Sequence, residues 1–234
     1  GRMNAGWITT ATASNAKAAD GGSQGIATYS NSFLYYSTPE DGARSTKGWF
    51  KVTPGYYLQR DKYEDGSDYW YYSDGNGKLV TNQIKTINGK KYTFDTDGKM
   101  QYGWVKDGET QHDDNAWQDA EYYFGDENDG SMAEGWREIA IVDDQAADLQ
   151  PGDNYWEEDQ TRWFYFKASG KKEKNQTGKT INGRKYGFDE YGRMNAGWVT
   201  QATASNTSVK DGGLQGIATY SNSFMNYSTP EDGA

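Results

Sequence analysis

This chain repeats itself at two scales, and that constrains its fold more than any single motif does. Residues 1–43 align without gaps with residues 192–234 and differ at nine positions, so the long period is 191 residues. Inside that block lies a shorter unit, clearest in "INGKKYTFDTDGKMQYGWV" from Ile87 and "INGRKYGFDEYGRMNAGWV" from Ile181. It consists of an aromatic, one spacer, a second aromatic, a polar turn containing Gly, often a Met two residues later, and then Gly-Trp. A short unit of this kind cannot bury its apolar face alone, so copies must stack on one another.

The aromatic-spacer-aromatic element ends at Tyr36, Tyr72, Phe94, Phe124, Phe166, Phe188 and Tyr227. In "YTF" the alternation of a strand puts Tyr92 and Phe94 on one face, where they form a buried pair. "DTDG" then reads as a turn, with Gly98 free to take positive φ. Met100 returns on the second strand, and Gly-Trp closes the hairpin. Two-stranded hairpins are marginal alone in water, so the expected fold is all-β, with tandem hairpins stacked into a β-solenoid. The uneven spacing of the elements requires insertions. These are "TTATASNAKAADGGSQG", "KDGETQHDDNAWQDA" and "REIAIVDDQAADLQPGDNYWEEDQT", read as polar loops placed after Gly-Trp rather than within a hairpin. "GIATYSNSF", from Gly25 and from Gly216, is more strand-like. In domain terms, residues 1–191 are expected to form one repeat block and residues 192–234 to begin the next copy, with the chain expected to be a fragment of a larger protein.

Composition matters here because Leu, Ile, Val and Phe together number only 27, a poverty that usually signals disorder. Nine Trp, 19 Tyr and 29 Gly argue instead for a folded chain packed on regularly spaced rings. A formal charge of −10 with scattered Lys and Arg disfavours nucleic acid as a partner. No apolar run approaches the ~20 residues of a membrane helix, so no membrane insertion is expected. With no Cys there are neither disulfides nor thiolate metal sites, and no cofactor or metal is expected. "DTDG" and "DENDG" share the richness of Ca²⁺ loops in Asp and Gly. They lack the spaced ligand set ending in a bidentate Glu, and read as turns. His112, the only histidine, falls in a polar stretch and reads as exposed rather than catalytic. With no Cys and one loop His, nucleophile systems have no convincing members, so the chain is expected not to be an enzyme.

The pattern "YYF-D-x-x-G-x-M-x-x-GW", with "TINGKKY" leading in, resembles the cell-wall-binding, or choline-binding and glucan-binding, repeat superfamily of Gram-positive surface proteins. The likeness covers most of the chain outside the insertions. "GSQGIATYSNSFLYY" resembles, more distantly, the long repeats in the carbohydrate-binding tail of large clostridial toxins. The first resemblance implies a β-solenoid with shallow aromatic ligand sites between consecutive hairpins, in a secreted or cell-surface protein. It also implies a site formed by one Gly-Trp tryptophan with a Trp and a Tyr, three and one residues before the end of the next buried pair. Carried onto this sequence, that gives Trp136 with Trp163 and Tyr165 as the one full set among five Gly-Trp positions. Two further sets are aromatic without matching it: Trp49 with Tyr69 and Tyr71, and Trp7 with Phe33 and Tyr35. Trp104 falls with Glu121 and Tyr123, and Trp198 with Phe224 and Asn226. These rings could also be no more than mortar between hairpins.

Three functions fit these observations. The first is a non-catalytic, multivalent module for a cell-wall polymer or a glucan-like polysaccharide. The second is recognition of choline on teichoic acid, a reading disfavoured by the single complete set. The third is a structural spacer or receptor-binding repeat of a larger surface protein or toxin.

Overall fold

The computed structural model describes residues 6–9, 33–54, 67–141, 161–195, 197–200 and 224–228, with single positions at 3 and 233. The insertions around Gln145 and Ser205, and nearly all of "GIATYSNSF", lie outside these residues. The strands in chain order are β1 (Gly6–Thr9), β2 (Phe33–Ser37), β3 (Gly48–Val52), β4 (Tyr69–Ser73), β5 (Gln83–Ile87), β6 (Lys90–Phe94), β7 (Gly103–Lys106) and β8 (Glu109–Thr110). After a short helix α1 (Ala116–Asp119) come β9 (Tyr122–Phe124), β10 (Gly135–Ala140), β11 (Thr161–Phe166), β12 (Gln176–Ile181), β13 (Arg184–Phe188), β14 (Gly197–Thr200) and β15 (Phe224–Ser228). Six antiparallel pairs, β1–β2, β3–β4, β5–β6, β10–β11, β12–β13 and β14–β15, each form a two-stranded sheet, and β8-β7-β9 form a three-stranded one.

The pairing corrects the expected division into hairpins. β6, the "YTF" strand, pairs with the strand before it through Asn88 and Gly89, whose φ of 51° and 82° are both positive. Asn-Gly with two positive φ angles is the type I′ turn whose twist matches the flanking strands. Asn182-Gly183 (50°, 82°) repeats it between β12 and β13, and Asp107-Gly108 (53°, 85°) between β7 and β8. "DTDG" instead leaves the hairpin, and Met100 makes only an isolated bridge with Phe94. Gly-Trp therefore opens a hairpin rather than closing one. The long insertions lie within hairpins, between a Gly-Trp strand and the aromatic strand that follows it.

The exit turns are alike. Asp95 Oδ1 accepts from the backbone N–H groups of Asp97 (2.9 Å) and Lys99 (2.8 Å), and Asp74 and Asp189 do the same two and four residues on. Gly98, at φ 88°, is needed twice over. A side chain there would be strained, and its Cβ would lie 2.7 Å from a methyl of Leu79, which belongs to the preceding exit turn. The aspartates of "DTDG" and "DENDG" thus bond their own backbone, as turn residues do.

The chain divides into two compact units. The first holds Gly1–Gly103, Asp107–Thr110 and Phe124–Ser131; the second holds Trp104–Lys106, Gln111–Tyr123 and Met132–Ala234. Within each, hairpins adjacent in sequence bury aromatic faces on each other, the tandem stacking of a β-solenoid. In the first unit, Trp7 and Leu79 enclose one seam with Phe33, Tyr36, Phe50 and Tyr71. Val80, Ile87, Phe94 and Met100 enclose the next with Trp49, Trp70, Tyr72 and Tyr92. In the second unit, Ile181, Phe188 and Met194 pack with Trp136, Trp163, Tyr165 and Tyr186. Another cluster there joins Trp117, Phe164 and Phe166 to Trp104 and Tyr191. Full burial of one such ring is worth about 1.5–3 kcal/mol, which is how so few aliphatic residues suffice.

One expected loop is not a loop. "KDGETQHDDNAWQDA" forms β8 and α1 and buries Trp117 to 1% exposure. His112, in the same segment, is exposed.

Candidate functional site

Strand register decides which rings meet. In β10–β11, Trp136 lies opposite Tyr165 and Glu138 opposite Trp163. In β3–β4, Trp49 lies opposite Tyr72 and Lys51 opposite Trp70. The partners of Trp49 are therefore Trp70 and Tyr72, not Tyr69 and Tyr71. The buried position at the end of β4 is Ser73, one residue beyond the aromatic taken as the end of the pair. A one-residue slip in a strand turns every side chain to the other face. Tyr69 and Tyr71 accordingly join the seam of Trp7, whose ring lies 4.7 Å from Tyr71. Trp7 itself meets Phe33 (5.4 Å) and Tyr36 (5.2 Å), as β1–β2 register dictates. Tyr35 faces away and carries the Arg44 guanidinium at 3.9 Å. Trp7 is 2% exposed and donates from Nε1 to the Thr53 carbonyl at 2.8 Å, so it is a core residue.

Trp136, Trp163 and Tyr165 do come together, and they have a twin. Trp136 lies 6.3 Å from Trp163, 5.2 Å from Tyr165, 4.8 Å from Tyr186 and 5.6 Å from Phe188. Trp49 lies 6.3 Å from Trp70, 5.2 Å from Tyr72, 4.8 Å from Tyr92 and 5.7 Å from Phe94. Interplanar angles agree within about 10°, with edge-on contacts to the first three rings and a tilted one to the Phe. The full Trp-Trp-Tyr set thus occurs twice. Trp70 could have been found by counting from the strand that opens with Gly-Trp.

The two tryptophan sets are only half-buried, which leaves ring surface for a ligand. In the first unit a cleft of about 180 Å³ opens between Trp49, Trp70, Tyr92 and Met100, with Asn128 and Asp129 at its rim. Asp129 pairs loosely with Lys90 at 3.8 Å, both well exposed. Burial, and then the Asp129 carboxylate, push the Tyr92 phenol upward, so it stays a neutral donor at physiological pH. Across Trp70 lies a polar pocket of about 160 Å³, lined by Lys51, Asp68, Tyr69, Tyr102 and Glu127 among others.

Trp104 is built differently. Its ring meets Tyr123 (5.0 Å), Phe164 (5.2 Å) and Phe166 (6.1 Å), while Glu121 turns outward to Lys171 at 3.2 Å. The buried Lys172 ammonium lies 5.2 Å over it, donating to the Trp117 carbonyl. Burial pulls the pKa of Lys172 down to about 7. Trp198 pairs with Tyr227 in the register that Trp7 takes with Tyr36, so the two copies of the 191-residue period share one strand alignment. Among the described residues, no group of three or more His, Asp or Glu is placed to hold a metal, and no helix is long and apolar enough to cross a membrane.

No family model matches the chain, and no curated protein does. Solved structures similar to it include choline binding protein F of Streptococcus pneumoniae, at 22% identity and TM-score 0.46, covering 78% of this chain and 52% of that one. The modular autolysin LytC of the same organism, in complex with a synthetic peptidoglycan ligand, is similar at 18% identity and TM-score 0.41, over 80% of this chain and 34% of its own. CbpJ from S. pneumoniae TIGR4 is similar at 18% identity and TM-score 0.44, over 97% and 57%. This chain therefore spans about half of two of these proteins and about a third of the other.

Proposed function

We propose that the chain is a non-catalytic, multivalent module of a secreted or surface protein that binds a cell-wall polymer or other polysaccharide. The observation that carries this is the pair of congruent, half-exposed Trp-Trp-Tyr sets on Trp49 and Trp136. Sugar rings lay their C–H faces on such rings, and neighbouring Asp, Asn and Lys side chains bond the hydroxyls. Contact with two or three rings buries about 100 Å² of apolar ligand, or about 2.5 kcal/mol before association costs. A single site then binds in the millimolar range. A polymer bridging several sites gains roughly 10²–10⁴ in avidity. The 191-residue period fits this reading, because duplicating a block multiplies sites.

A second reading, a quaternary ammonium such as the choline of teichoic acid, is favoured by one observation. The Trp49 cleft combines aromatic walls with the Asp129 carboxylate, and each cation–ring contact is worth about 0.5–2 kcal/mol. Two complete Trp-Trp-Tyr sets, rather than one, also fit a choline-type ligand.

The test is retention on purified walls and on insoluble glucan. Trp136→Ala with Trp163→Ala weakens retention partially, and adding Trp49→Ala with Trp70→Ala weakens it much further, with circular dichroism showing the variants folded. Folded variants that bind like the parent reduce these rings to packing. Elution from a choline-type column by free choline selects the second reading.

A further inference from the structure

The first unit's site differs from a bare aromatic shelf, because a carboxamide already lies on it. Asn128 Oδ1 accepts from Trp70 Nε1 at 3.4 Å and from Lys51 Nζ at 3.2 Å, while its Nδ2 donates to Glu127 Oε1 at 3.4 Å. All three bonds are long and solvent-exposed, so each contributes little and exchanges readily. The backbone beneath is held independently. Asp126 Oδ1 accepts from the N–H groups of Asn128 (2.8 Å) and Asp129 (2.9 Å), and the Asp126 N–H bonds the Asp129 carbonyl at 3.0 Å. The side chain can therefore leave without unmaking the turn.

Around that carboxamide the surface is divided by chemistry. Trp70 and Met100 line both an aromatic cleft, with Trp49, Tyr92 and Asn128 itself, and a polar pocket with Asp68, Tyr102 and Glu127. Each is smaller than the ~300 Å³ of a pocket for a drug-sized ligand, so each takes one chemical group rather than a whole oligosaccharide. A ligand matching the whole surface carries a secondary amide with a small apolar cap, attached to a hydroxylated ring.

We propose that this surface is a subsite for an N-acetylated hexosamine residue, with Asn128 as a built-in competitor standing in for its acetamido group. The acetamido carbonyl takes the donors Trp70 Nε1 and Lys51 Nζ, and the acetamido N–H takes the Glu127 carboxylate. The methyl enters the aromatic cleft, and ring hydroxyls face Asp68 and Tyr102 in the polar pocket. Neither a plain glucan nor a de-N-acetylated glycan satisfies the two donors and the cleft together. This inference rests on the polysaccharide reading and narrows it to a sugar class at one site.

Titration of the whole chain, followed through the indole N–H resonance of Trp70, tests it with three trisaccharides: tri-N-acetylchitotriose, cellotriose and de-N-acetylated chitotriose. The acetylated sugar is expected to bind roughly tenfold more tightly than either of the others, the worth of one or two satisfied hydrogen bonds. Asn128→Gly, in a turn that does not depend on the side chain, is expected to tighten acetylated-sugar binding roughly two- to fivefold by removing the competitor. Lys51→Met is expected to weaken it. Equal affinity for the acetylated sugar and cellotriose, tighter binding of the cationic de-N-acetylated sugar, or no response to Asn128→Gly each overturns the proposal. Retention on walls or glucan that still depends on the tryptophans then leaves the polysaccharide reading standing. Loss of that dependence, with the acetylated sugar still bound at Trp70, removes multivalent retention and leaves carbohydrate binding at this one site.

Discussion

The seams built on Trp49 and Trp104 begin from the same phrase and end with opposite properties. Around Trp49 stand Trp70, Tyr72, Tyr92 and Phe94, with Met100 bridged to Phe94, and a cleft remains open. Around Trp104 stand Tyr123, Phe164 and Phe166 in corresponding places, but Lys172 is bridged to Phe166 where Met100 would be. Glu121 holds the place of Trp70, and α1 covers the seam with Trp117. A charge and a ring from the chain itself occupy the surface that the other seam leaves free. The same hairpin unit therefore yields an open aromatic cleft or a closed core, depending on what the insertion and the exit turn bring to it.

The largest test of this contrast empties the closed seam. Trp117 is 1% exposed and touches Phe164 (6.4 Å), Tyr191 (5.6 Å) and the Arg193 guanidinium (5.2 Å). Trp117→Ala is expected to cost about 3–5 kcal/mol in denaturant unfolding of the second unit. Trp70→Ala, at a half-exposed ring, is expected to cost clearly less and to act on binding instead. Equal losses of stability would erase the distinction between the seams.

The next test uses the buried cation. Burial holds the pKa of Lys172 at about 7, against an ordinary value of 10.5. Between those values the unfolded chain keeps a proton that the folded chain has released. Folding stability attributable to this group therefore rises with pH from about 7 to about 10.5, by at most about 1.4 kcal/mol per pH unit, and is flat below. Lys172→Met, which installs the residue found at Met100 and Met194, is expected to abolish that rise. It is also expected to match or exceed the parent's stability at pH 7, since a well-packed apolar replacement of a buried charge is commonly neutral or stabilising. Parallel melting curves from pH 6.5 to 10 for parent and variant read this directly; identical slopes would show that Lys172 keeps its ordinary proton affinity.

The same contrast shows what the sequence made legible. Alternating aromatics at a recurring spacing announced stacked hairpins, because only strands put Tyr92 and Phe94 on one face and only stacking buries them. The partition into hairpins is harder to read, because "DTDG" is a true turn but one that leaves the hairpin instead of closing it. The paired positive φ of Asn88-Gly89 marks the hairpin's own turn. The register of Tyr69 and Tyr71 is not legible, because Ser73, fully buried, ends its strand where Phe94 and Phe166 end theirs, and nothing in a serine signals that role. Trp117 was hidden in a polar segment, since a helix of four residues has no periodicity to read. Asn128 became meaningful only through its distance to Trp70, which the chain closes across 58 residues.

The smallest expected effect lies where the unit lacks its tryptophan. In β5 the register puts Gln83 opposite Phe94 and Ile84 opposite Thr93, so Ile84 stands where Trp49 stands in β3–β4. It is 53% exposed, while Thr93, in the place of Tyr72, is buried. If an opening-strand tryptophan stabilised a hairpin simply by its position, this hairpin would be weak, and any loss at Ile84 would be felt. Its stability comes instead from the type I′ turn and from Ile87, Tyr92 and Phe94 packing against the Trp49 seam. Ile84→Lys is therefore expected to change unfolding free energy by no more than about 0.5 kcal/mol, as for surface substitutions generally, and to leave polysaccharide retention unchanged. Trp49→Ala in the same assay should lower both. A loss of retention on Ile84→Lys would place ligand contacts on the outer face of β5, and the binding surface would then extend beyond the clefts between hairpins.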